Sequence, residues 1–328
     1  MSTKQVLAMD WSDAVLLLLV VAILVLYIRL MLKNKRLRQM AEEANRLRLE
    51  ATEAERRNRQ LKQEMTSNIA HELKTPLSSI RGYLEILLGE HPVDEERRRH
   101  YLDRCYRQTL RLSDLIKDVS LINKLEESAD LFPTEEVDVR EIAQDAVDEL
   151  SDKAAAANIT VENRLPEEVP FFGNRELLYG IFRNLIENAV AYAGDGCRVV
   201  IETYNPKAVG GQLAMLSGLN ARMQTEGKRA VNTSLTADGR QTDTYNIHFY
   251  DTGTGVADEY LSRLFDRFLR IDQGRSRRNG GTGLGLSIVK HAVQFHGGEI
   301  YVRNRRSGVD GADGGTGLEY YFAIKSRR

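Results

Sequence analysis

Cysteine is scarce in this chain of 328 residues, which contains only Cys105 and Cys197. The two lie far apart without metal-ligand spacing around either, so the sequence predicts two reduced thiols in a cytosolic compartment. An excess of one charge is also absent, since 46 Lys and Arg nearly balance 47 Asp and Glu. The global charge therefore gives no indication of nucleic acid binding, and we predict none.

Two common nucleotide-binding motifs are missing as well. The chain has no Walker A sequence. A dinucleotide fingerprint needs glycine at the sixth position of G-x-G-x-x-G, but Leu286 stands there when counted from Gly281, and Asp258 when counted from Gly253. These absences argue against a Rossmann domain. The length nevertheless allows roughly two domains of about 100–200 residues.

A long apolar run occupies residues 14–32 and carries one charge, Arg29, near its end. At ~1.5 Å per residue this run comes close to the ~30 Å hydrocarbon core of a bilayer. The pattern predicts a single transmembrane helix after a short extracytoplasmic N-terminus at 1–13, too short for an extracellular sensor domain. A cleaved signal peptide is the alternative, although its apolar core would be shorter. The basic sequence KNKRLR that follows predicts a cytoplasmic C-terminal side.

Residues 33–60 show an apolar repeat with alternating spacings of three and four, typical of a parallel coiled coil. Several seam positions are Ala and one is Asn, so we expect a weak coil. A solvated single helix is the alternative. The seam runs through Leu37, Met40, Ala44, Leu47, Ala51, Ala54, Asn58, Leu61 and Met65.

Residues 61–130 have the pattern of a helical hairpin. In its first helix the apolar side chains share one face and His71 projects from the opposite side, so we expect an exposed histidine. Pro76 cannot donate to the carbonyl of Glu72, which predicts a bend just after the histidine. A turn at 88–96 and a second helix near 95–128 follow. One hairpin buries little apolar surface, so the pattern predicts a homodimer that forms a four-helix bundle.

After a linker at 131–137, residues 138–328 mix helical and strand patterns, which predicts an α/β domain. The expected helices lie near 138–157, 175–193, 257–268 and 286–296, with strands at 158–163, 197–204 and 245–251 and a terminal hairpin. Residues 205–244 form an insertion that is a long loop or a hairpin extension. A second GGTG sequence at 314–317 is most simply a turn.

Three clusters in this domain suggest a nucleotide site. Asn184 and Asn188 lie one helical turn apart, where their amide oxygens suit Mg²⁺, with structural hydrogen bonding as the alternative. Asp251 ends a strand and is followed by Gly253 and Gly255, so it is placed to accept a hydrogen bond from an adenine amino group, with a plain turn as the alternative.

The third cluster is glycine-rich and opens a helix. Gly281, Gly283 and Gly285 lead into a helix N-terminus, whose free N–H groups and dipole favour phosphate.

Taken in order, these motifs resemble those of the sensor histidine kinases of two-component systems. HELKTP resembles the H box, NLIENA the N box, DTGTGV the G1 box, LFDRF the F box and GGTGLGLSIVK the G2 box. The resemblance covers about residues 60–328. It implies a multidomain protein: a transmembrane helix and coiled coil, a dimeric helical-hairpin four-helix bundle, then an α/β two-layer sandwich of the Bergerat (GHKL) ATP-binding type.

The resemblance also implies roles for individual residues, with ATP and Mg²⁺ as cofactors. His71 would take the γ-phosphoryl group, Glu72 would act as general base, and Thr75 would orient water when a partner is dephosphorylated. In the ATP site the implied residues are Asn184 and Asn188 near Mg²⁺, Tyr192 along the base, Asp251 reading adenine with Gly253 and Gly255, Phe265 and Phe268 anchoring a lid, Arg270 reaching the γ-phosphate, and Gly281, Gly283 and Gly285 as the phosphate-side hinge. Ala191 stands where the family often has Lys or Arg, so one phosphate contact is in doubt.

No receiver domain is present in the sequence, so the resemblance implies transfer to an aspartate of a separate response regulator. It further implies a homodimer in the bacterial inner membrane, with the catalytic portion in the cytoplasm. Two other classes of protein are the alternatives: a chaperone-like or DNA-processing ATPase, and a membrane scaffold with a vestigial nucleotide domain.

Overall fold

The computed structural model describes residues 11–89, 93–127, 131–204, 231–235, 241–271, 281–305 and 316–327. Its helices are α1 (Trp11–Leu88), α2 (Glu95–Glu127), α3 (Val139–Ala156), α4 (Arg175–Tyr192), α5 (Asp258–Leu261) and α6 (Gly285–Phe295). Its strands are β1 (Glu135–Asp138), β2 (Thr160–Asn163), β3 (Pro170–Gly173), β4 (Arg198–Thr203), β5 (Val231–Leu235), β6 (Gln241–Asp251), β7 (Ile300–Arg305) and β8 (Gly317–Arg327). The chain forms two compact units, Met1–Ile69 and Ala70–Arg328.

The first unit consists of the N-terminal part of α1, where most described side chains are exposed. Its charged section carries ion pairs at i,i+4 spacing, such as Arg46 with Glu50 at 2.9 Å. Considering only residues that the structure describes, no helix is both long enough and apolar enough to cross a membrane. The predicted N-terminal segment falls mostly outside the described residues, as do the side chains at positions 14 and 17 of the predicted span. The coiled coil stays a prediction.

The second unit begins with the helical hairpin. The helix predicted near 95–128 is confirmed as α2, and α1 continues through Pro76 to Leu88. The two helices contact through Tyr83 and Tyr101, whose stacked rings lie 5.5 Å apart. Cys105 Sγ on α2 donates to the carbonyl of Ile80 on α1 at 3.8 Å. The bend predicted after His71 stays a prediction.

A mixed sheet forms one layer of the α/β domain, in the order β2-β4-β6-β8-β7. β2 and β4 are parallel and the other neighbours are antiparallel. β5 pairs antiparallel with the N-terminal part of β6, which agrees with a hairpin extension, while residues 205–230 and 236–240 of the insertion lie outside the described residues. A separate two-stranded sheet pairs β1 with β3. Part of the predicted linker therefore forms a strand.

Helices α3, α4 and α6 pack in the second layer, because their apolar residues recur every three or four positions. Two helices begin at capping residues: the side chain of Asp138 accepts from Arg140 N at 2.8 Å, and that of Asn174 accepts from Leu177 N at 2.9 Å. The core residues of the sheet face these helices and include Val199, Ile201, Ile247, Phe249, Tyr320 and Phe322. This is the predicted two-layer architecture.

Two predicted elements differ from the observed ones. The strand predicted at 245–251 is longer, since β6 starts at Gln241 and pairs with β5 and β8. The helix predicted near 257–268 was wrong beyond Leu261. There the backbone forms successive turns, with Arg263 N bonded to Tyr260 O at 2.9 Å, and Phe268 has a φ of 62°. An α-helix cannot contain a left-handed residue such as Phe268, so no regular helix reaches residue 268, and local sequence periodicity does not reveal this.

Candidate active site

His71 lies on α1 in the hairpin and is exposed, as predicted. One turn further, Thr75 Oγ1 donates to the carbonyl oxygen of His71 at 3.3 Å. Pro76 is buried beside it. Because a proline lacks the N–H that would bond four residues back, this part of the helix has one hydrogen bond fewer than a regular helix.

Glu72, next to the histidine, contacts two arginines. Its Oε2 lies 3.0 Å from Arg270 Nη2 and 3.8 Å from Arg111 Nη2. The Arg270 side chain is 13% exposed and that of Glu72 is 24% exposed, so water screens this pair less than a surface pair. Arg111 belongs to α2, whereas Arg270 belongs to the α/β domain. The hairpin and the domain therefore meet at the carboxylate beside His71.

Asp251 ends β6 and is buried. Its Oδ1 accepts hydrogen bonds from Gly253 N at 2.8 Å and from Leu318 N at 3.3 Å. Burial raises the pKa of the carboxyl, and the two backbone N–H groups and Arg305 offset only part of this effect. The carboxylate is thus held in a fixed orientation at a low-dielectric position, where a hydrogen bond to a base amino group is strong.

The two asparagines of α4 donate within the domain. Asn184 Nδ2 bonds to Gly180 O at 2.7 Å, and Asn188 Nδ2 bonds to the hydroxyl oxygen of Tyr320 at 3.1 Å. The structural hydrogen bonding considered as an alternative is therefore present. These bonds use the amide nitrogens, so the carboxamide oxygens are the atoms suited to a cation. Tyr192, at the end of the same helix, is exposed.

Several predicted glycines lie where a side chain would collide with another predicted segment. A Cβ at Gly253 would lie 2.5 Å from the carbonyl oxygen of Ala193, directly after α4. A Cβ at Gly285 would lie 2.7 Å from Asn184 Oδ1. Gly255 has a φ of +70°, which favours glycine, and a Cβ there would lie 2.6 Å from Asn304 Oδ1.

The lid residues and the glycine loop contact each other as well. Phe268 N donates to Gly283 O at 2.8 Å, and both residues have left-handed backbones. Phe265 is partly buried against the core. Arg270 Nη2 also donates to Gly281 O. Residues 272–280 between these segments lie outside the described residues.

The three clusters predicted as a nucleotide site therefore converge. Glycines from the G1 and G2 motifs pack against the C-terminal half of α4, and the segment with Phe268 and Arg270 borders the G2 loop. Glu72 joins them through Arg270. The structure gives no direct contact between the His71 ring and these groups among the described residues.

Sequence reasoning missed several side chains that support the site. Thr282 Oγ1, inside the glycine loop, donates to Asp118 Oδ2 on α2 at 2.8 Å. Thr316 Oγ1 donates to Gly253 O at 2.8 Å, and a Cβ at Gly317 would lie 2.1 Å from Asp251 O. Thr316 and Gly317, the described residues of the second GGTG sequence, therefore pack directly against the end of β6. The repeated GGTG sequence was visible in the chain, but its position beside Asp251 follows only from the pairing of β8 with β6.

Comparisons with known proteins agree with this arrangement. The His Kinase A (phospho-acceptor) domain family matches residues 61–128, and the histidine kinase-, DNA gyrase B-, and HSP90-like ATPase family matches residues 173–327. The chain belongs to the sensor histidine kinases. The family resemblance predicted from the motifs is thereby confirmed.

Two related sensor histidine kinases illustrate the extent of the match. Sensor-like histidine kinase SenX3 of Mycolicibacterium smegmatis is 28% identical over 259 residues, which cover 79% of this chain and 56% of that protein. Signal transduction histidine-protein kinase BaeS of Escherichia coli is 26% identical over 245 residues, covering 74% of this chain and 44% of that protein. The chain spans about half the length of these relatives.

A solved histidine kinase structure shares the fold. The match is to histidine kinase ThkA in complex with response regulator protein TrrA. It covers 80% of this chain and 61% of the chain of that structure, with a TM-score of 0.53 and 18% sequence identity. The order of a helical phospho-acceptor region and an α/β ATPase domain is confirmed. His71 lies in the first matched region and Asp251 in the second, while the role of each site residue stays a prediction.

Proposed function

We propose that the chain is an ATP-dependent protein-histidine kinase that phosphorylates His71 and then passes the phosphoryl group to an aspartate of a separate response regulator. The observation that carries this proposal is the contact of Glu72 with Arg270 at 3.0 Å. It joins the exposed histidine segment to the converged glycine-rich site. Phosphoryl transfer depends chiefly on positioning and on electrostatic stabilisation of the phosphoryl group, and this contact brings a candidate base and a candidate phosphate-binding arginine to the histidine segment.

The residues present fit ATP and Mg²⁺. Glycine at positions 253 and 285, where a Cβ would collide, lets the backbone of both glycine-rich segments lie directly against the C-terminal half of α4. Asp251 is oriented to accept from an adenine amino group, and the amide oxygens of Asn184 and Asn188 suit Mg²⁺. When bound, ATP supplies the γ-phosphoryl group, and Mg²⁺ neutralises charge on the phosphates.

In this mechanism a lone pair on one ring nitrogen of His71 attacks the γ-phosphorus. An N–P bond forms as the bond to the bridging β,γ-oxygen breaks, and ADP leaves with that electron pair. Glu72 accepts the proton on the other ring nitrogen as positive charge develops. Arg270, released from Glu72, reaches the γ-phosphate and offsets its negative charge. Tyr192 would lie along the base, and Phe265 and Phe268 would anchor a lid over it.

We also propose that the hairpin forms a homodimer. Several large apolar side chains of the hairpin are exposed in the single chain, among them Leu77 (60%) and Leu84 (40%) on α1 and Leu102 (50%) on α2. Soluble chains rarely expose a contiguous apolar face of this kind, and a second hairpin would cover it.

We further propose a single-pass anchor in the bacterial inner membrane, with the catalytic portion in the cytoplasm. The support is the apolar run at 14–32, the exposure of its described side chains such as Leu16 and Ile23, and the basic sequence that follows. Resistance of the full chain to alkaline extraction from membranes is the expected result, and release into the soluble fraction would contradict the anchor.

The regulator's docking surface is proposed to include the exposed side of α1 around His71. Thr75 is proposed to orient a water molecule when the phosphorylated regulator is dephosphorylated. Its hydroxyl donates to the His71 carbonyl, so its oxygen lone pairs can still accept from water. A loss of phosphatase activity in Thr75→Ala, with autophosphorylation retained, is the expected outcome.

The main test uses the full chain in lipid nanodiscs with Mg²⁺ and ATP labelled on the γ-phosphate. We expect acid-labile, alkali-stable label that disappears in His71→Gln and persists in the control His100→Gln, an exposed histidine of α2. Phosphate release without labelled protein would favour the ATPase alternative. A chain that binds no nucleotide would favour the scaffold alternative, and either result would contradict the kinase.

A further inference from the structure

Two carboxylates of the hairpin hold two groups at the phosphate side of the proposed ATP site. Glu72 Oε2 on α1 lies 3.0 Å from Arg270 Nη2, and Asp118 Oδ2 on α2 accepts from Thr282 Oγ1 at 2.8 Å. Arg270 is the residue proposed to reach the γ-phosphate. Asp118 has no role in the reaction described above.

Thr282 occupies a position that favours an anion. It stands between Gly281 and Gly283, and its Oγ1 accepts from Leu284 N at 3.2 Å, directly before α6. The first N–H groups of a helix and its dipole favour negative charge. Here the negative charge that approaches this loop belongs to Asp118.

The two contacts share one chemistry. In each, a carboxylate oxygen from the hairpin takes a donor that a phosphate oxygen would otherwise use. ATP phosphates cannot approach closely without meeting like charge or displacing the carboxylates.

We propose that Glu72 and Asp118 form an acidic latch that holds the phosphate side of the nucleotide site against the hairpin until ATP displaces it. The latch is an autoinhibitory contact, and it rests on the proposed function because Arg270 and Thr282 are inhibitory targets only if they serve ATP. Once the latch opens, Arg270 turns to the phosphate and Glu72 becomes available as the base beside His71. Release and activation are then one event.

The contact of Asp118 with Thr282 is the weaker part of the latch and should break readily. Burial raises the pKa of this carboxyl, and the hydrogen bond from Thr282 and the charge of Arg183 offset only part of that effect. A partly buried carboxylate that has a neutral hydroxyl as its hydrogen-bond donor is less well compensated than one in a bidentate ion pair. Opening returns the carboxylate toward water and recovers part of its hydration.

A third contact joins the hairpin to the α/β domain without involving Glu72 or Asp118. Glu126 on α2 pairs with Arg267, whose Nη2 also lies 3.2 Å from His291 Nε2 on α6. None of these three residues belongs to the glycine loop or to the proposed phosphate contacts. The contact between Glu126 and Arg267 can therefore persist after the contacts of Glu72 and Asp118 have broken.

The test compares Asp118→Ala and Asp118→Asn with Asp103→Ala, which removes an exposed carboxylate of the same helix. Binding of Mg²⁺ with the ATP analogue AMPPNP is measured by calorimetry on the full chain in nanodiscs. We expect Asp118→Ala to bind about three- to tenfold more tightly than the wild type, because ATP then no longer has to displace one hydrogen bond of ordinary net strength. Asp118→Asn keeps an acceptor for Thr282 and loses the charge, so its affinity for AMPPNP should lie between those of Asp118→Ala and the wild type. Asp103→Ala should bind AMPPNP as the wild type does.

The failures are distinguishable. If the wild type binds AMPPNP but Asp118→Ala and Asp118→Asn bind no more tightly than Asp103→Ala, the latch is overturned and the proposed function stands. If the wild type and every variant bind no AMPPNP, the proposed function fails and the latch with it. Should Asp118→Ala fail to fold, the isosteric Asp118→Asn decides, since unchanged affinity there overturns the latch.

Discussion

The hairpin and the α/β domain treat their apolar side chains in opposite ways. In the domain, Phe182 and Leu185 of α4 are fully buried against the sheet. In the hairpin, Leu77 and Leu84 remain 60% and 40% exposed. The domain completes its core from its own chain, whereas the hairpin keeps an apolar face for another surface. Stability of the domain should therefore be an intrachain property, and that of the hairpin should depend on protein concentration.

The largest expected effect tests the domain side of this comparison. Phe182→Ala should destabilise the domain by about 3–5 kcal/mol, because it leaves a cavity in a close-packed core. Leu84→Ala should change the unfolding of the domain by less than about 0.5 kcal/mol. Urea unfolding followed by tyrosine near-ultraviolet circular dichroism measures both. Similar losses in the two variants would show that the two regions do not differ as described.

The next effect concerns acid. His296 is buried, its Nε2 accepts from Asn174 N at 3.1 Å, and its Nδ1 bonds to Ala292 O at 2.8 Å. Burial lowers its pKa from 6.5 to about 4. The unfolded chain thus binds a proton in the window between these values while the folded chain does not, so stability present above pH 6.5 is lost as the pH falls toward 4.

The loss should reach about 3 kcal/mol, from roughly 1.4 kcal/mol per pKa unit. Thermal unfolding between pH 4 and 7 should show a smaller decline in His296→Gln than in the wild type, since glutamine does not titrate. His100→Gln, on the exposed surface of the hairpin, is the matched control and should follow the wild type. If His296→Gln loses as much stability between pH 7 and pH 4 as the wild type does, His296 is not the source of the acid sensitivity.

A smaller effect tests the hairpin side. Placing a charge on its apolar face with Leu84→Glu should raise the dimer dissociation constant about tenfold or more, because the carboxylate would have to be buried without a partner. Analytical ultracentrifugation across a concentration series measures this. Arg81→Gln, at an exposed position of the same helix, should leave the dimer unchanged. A Leu84→Glu protein that dimerises like the wild type would remove the proposed role of this face.

The smallest effect concerns the outer face of the sheet. His248 lies 3.2 Å from both Glu202 and Glu319 and stacks on Tyr321 at 4.3 Å. Burial alone lowers the pKa of His248, but the hydrogen bonds and charges of the two glutamates outweigh it, and the pKa is raised. This contribution to stability is complete below pH 6.5 and is lost as the pH rises through the raised value.

We expect the melting temperature to fall slightly between pH 6 and 8, on the order of a degree or two, and His248→Gln to lose this dependence. The direction is opposite to that of His296. Nuclear magnetic resonance titration of the imidazole provides a direct check. A His248 that titrates below its ordinary range would contradict the account.

Local patterns predicted much of this fold. The apolar periodicity of α4 and the capping residue before it are encoded within about twenty neighbouring positions, so its bounds at Arg175 and Tyr192 agree with those expected. The segment after α5 was predicted less well. It contains the left-handed Phe268, whose backbone N–H donates to the carbonyl oxygen of Gly283, fifteen residues away in the glycine loop. A periodic pattern contains no information about such a contact.

The residues of the candidate site also form two groups, those that local motifs predict and those that only the tertiary structure reveals. Motif order pointed to Asp251, Asn184 and the glycines, and the structure brings these together. It did not point to Asp118, because an aspartate on a charged helix resembles a solvated one until the fold places Thr282 beside it. Contacts between distant segments require the tertiary structure.

Strand order has a consequence for when the surroundings of Asp251 form during folding. β8 is the last described strand in sequence, yet it lies between β6 and β7, and its Leu318 supplies one of the two amides that hold Asp251. A growing polypeptide therefore cannot complete the surroundings of Asp251 until this late segment joins the sheet. Pairing across such sequence distances is slow. Nucleotide binding can therefore stabilise the completed sheet, but it cannot assist the folding steps that precede the insertion of β8 during synthesis.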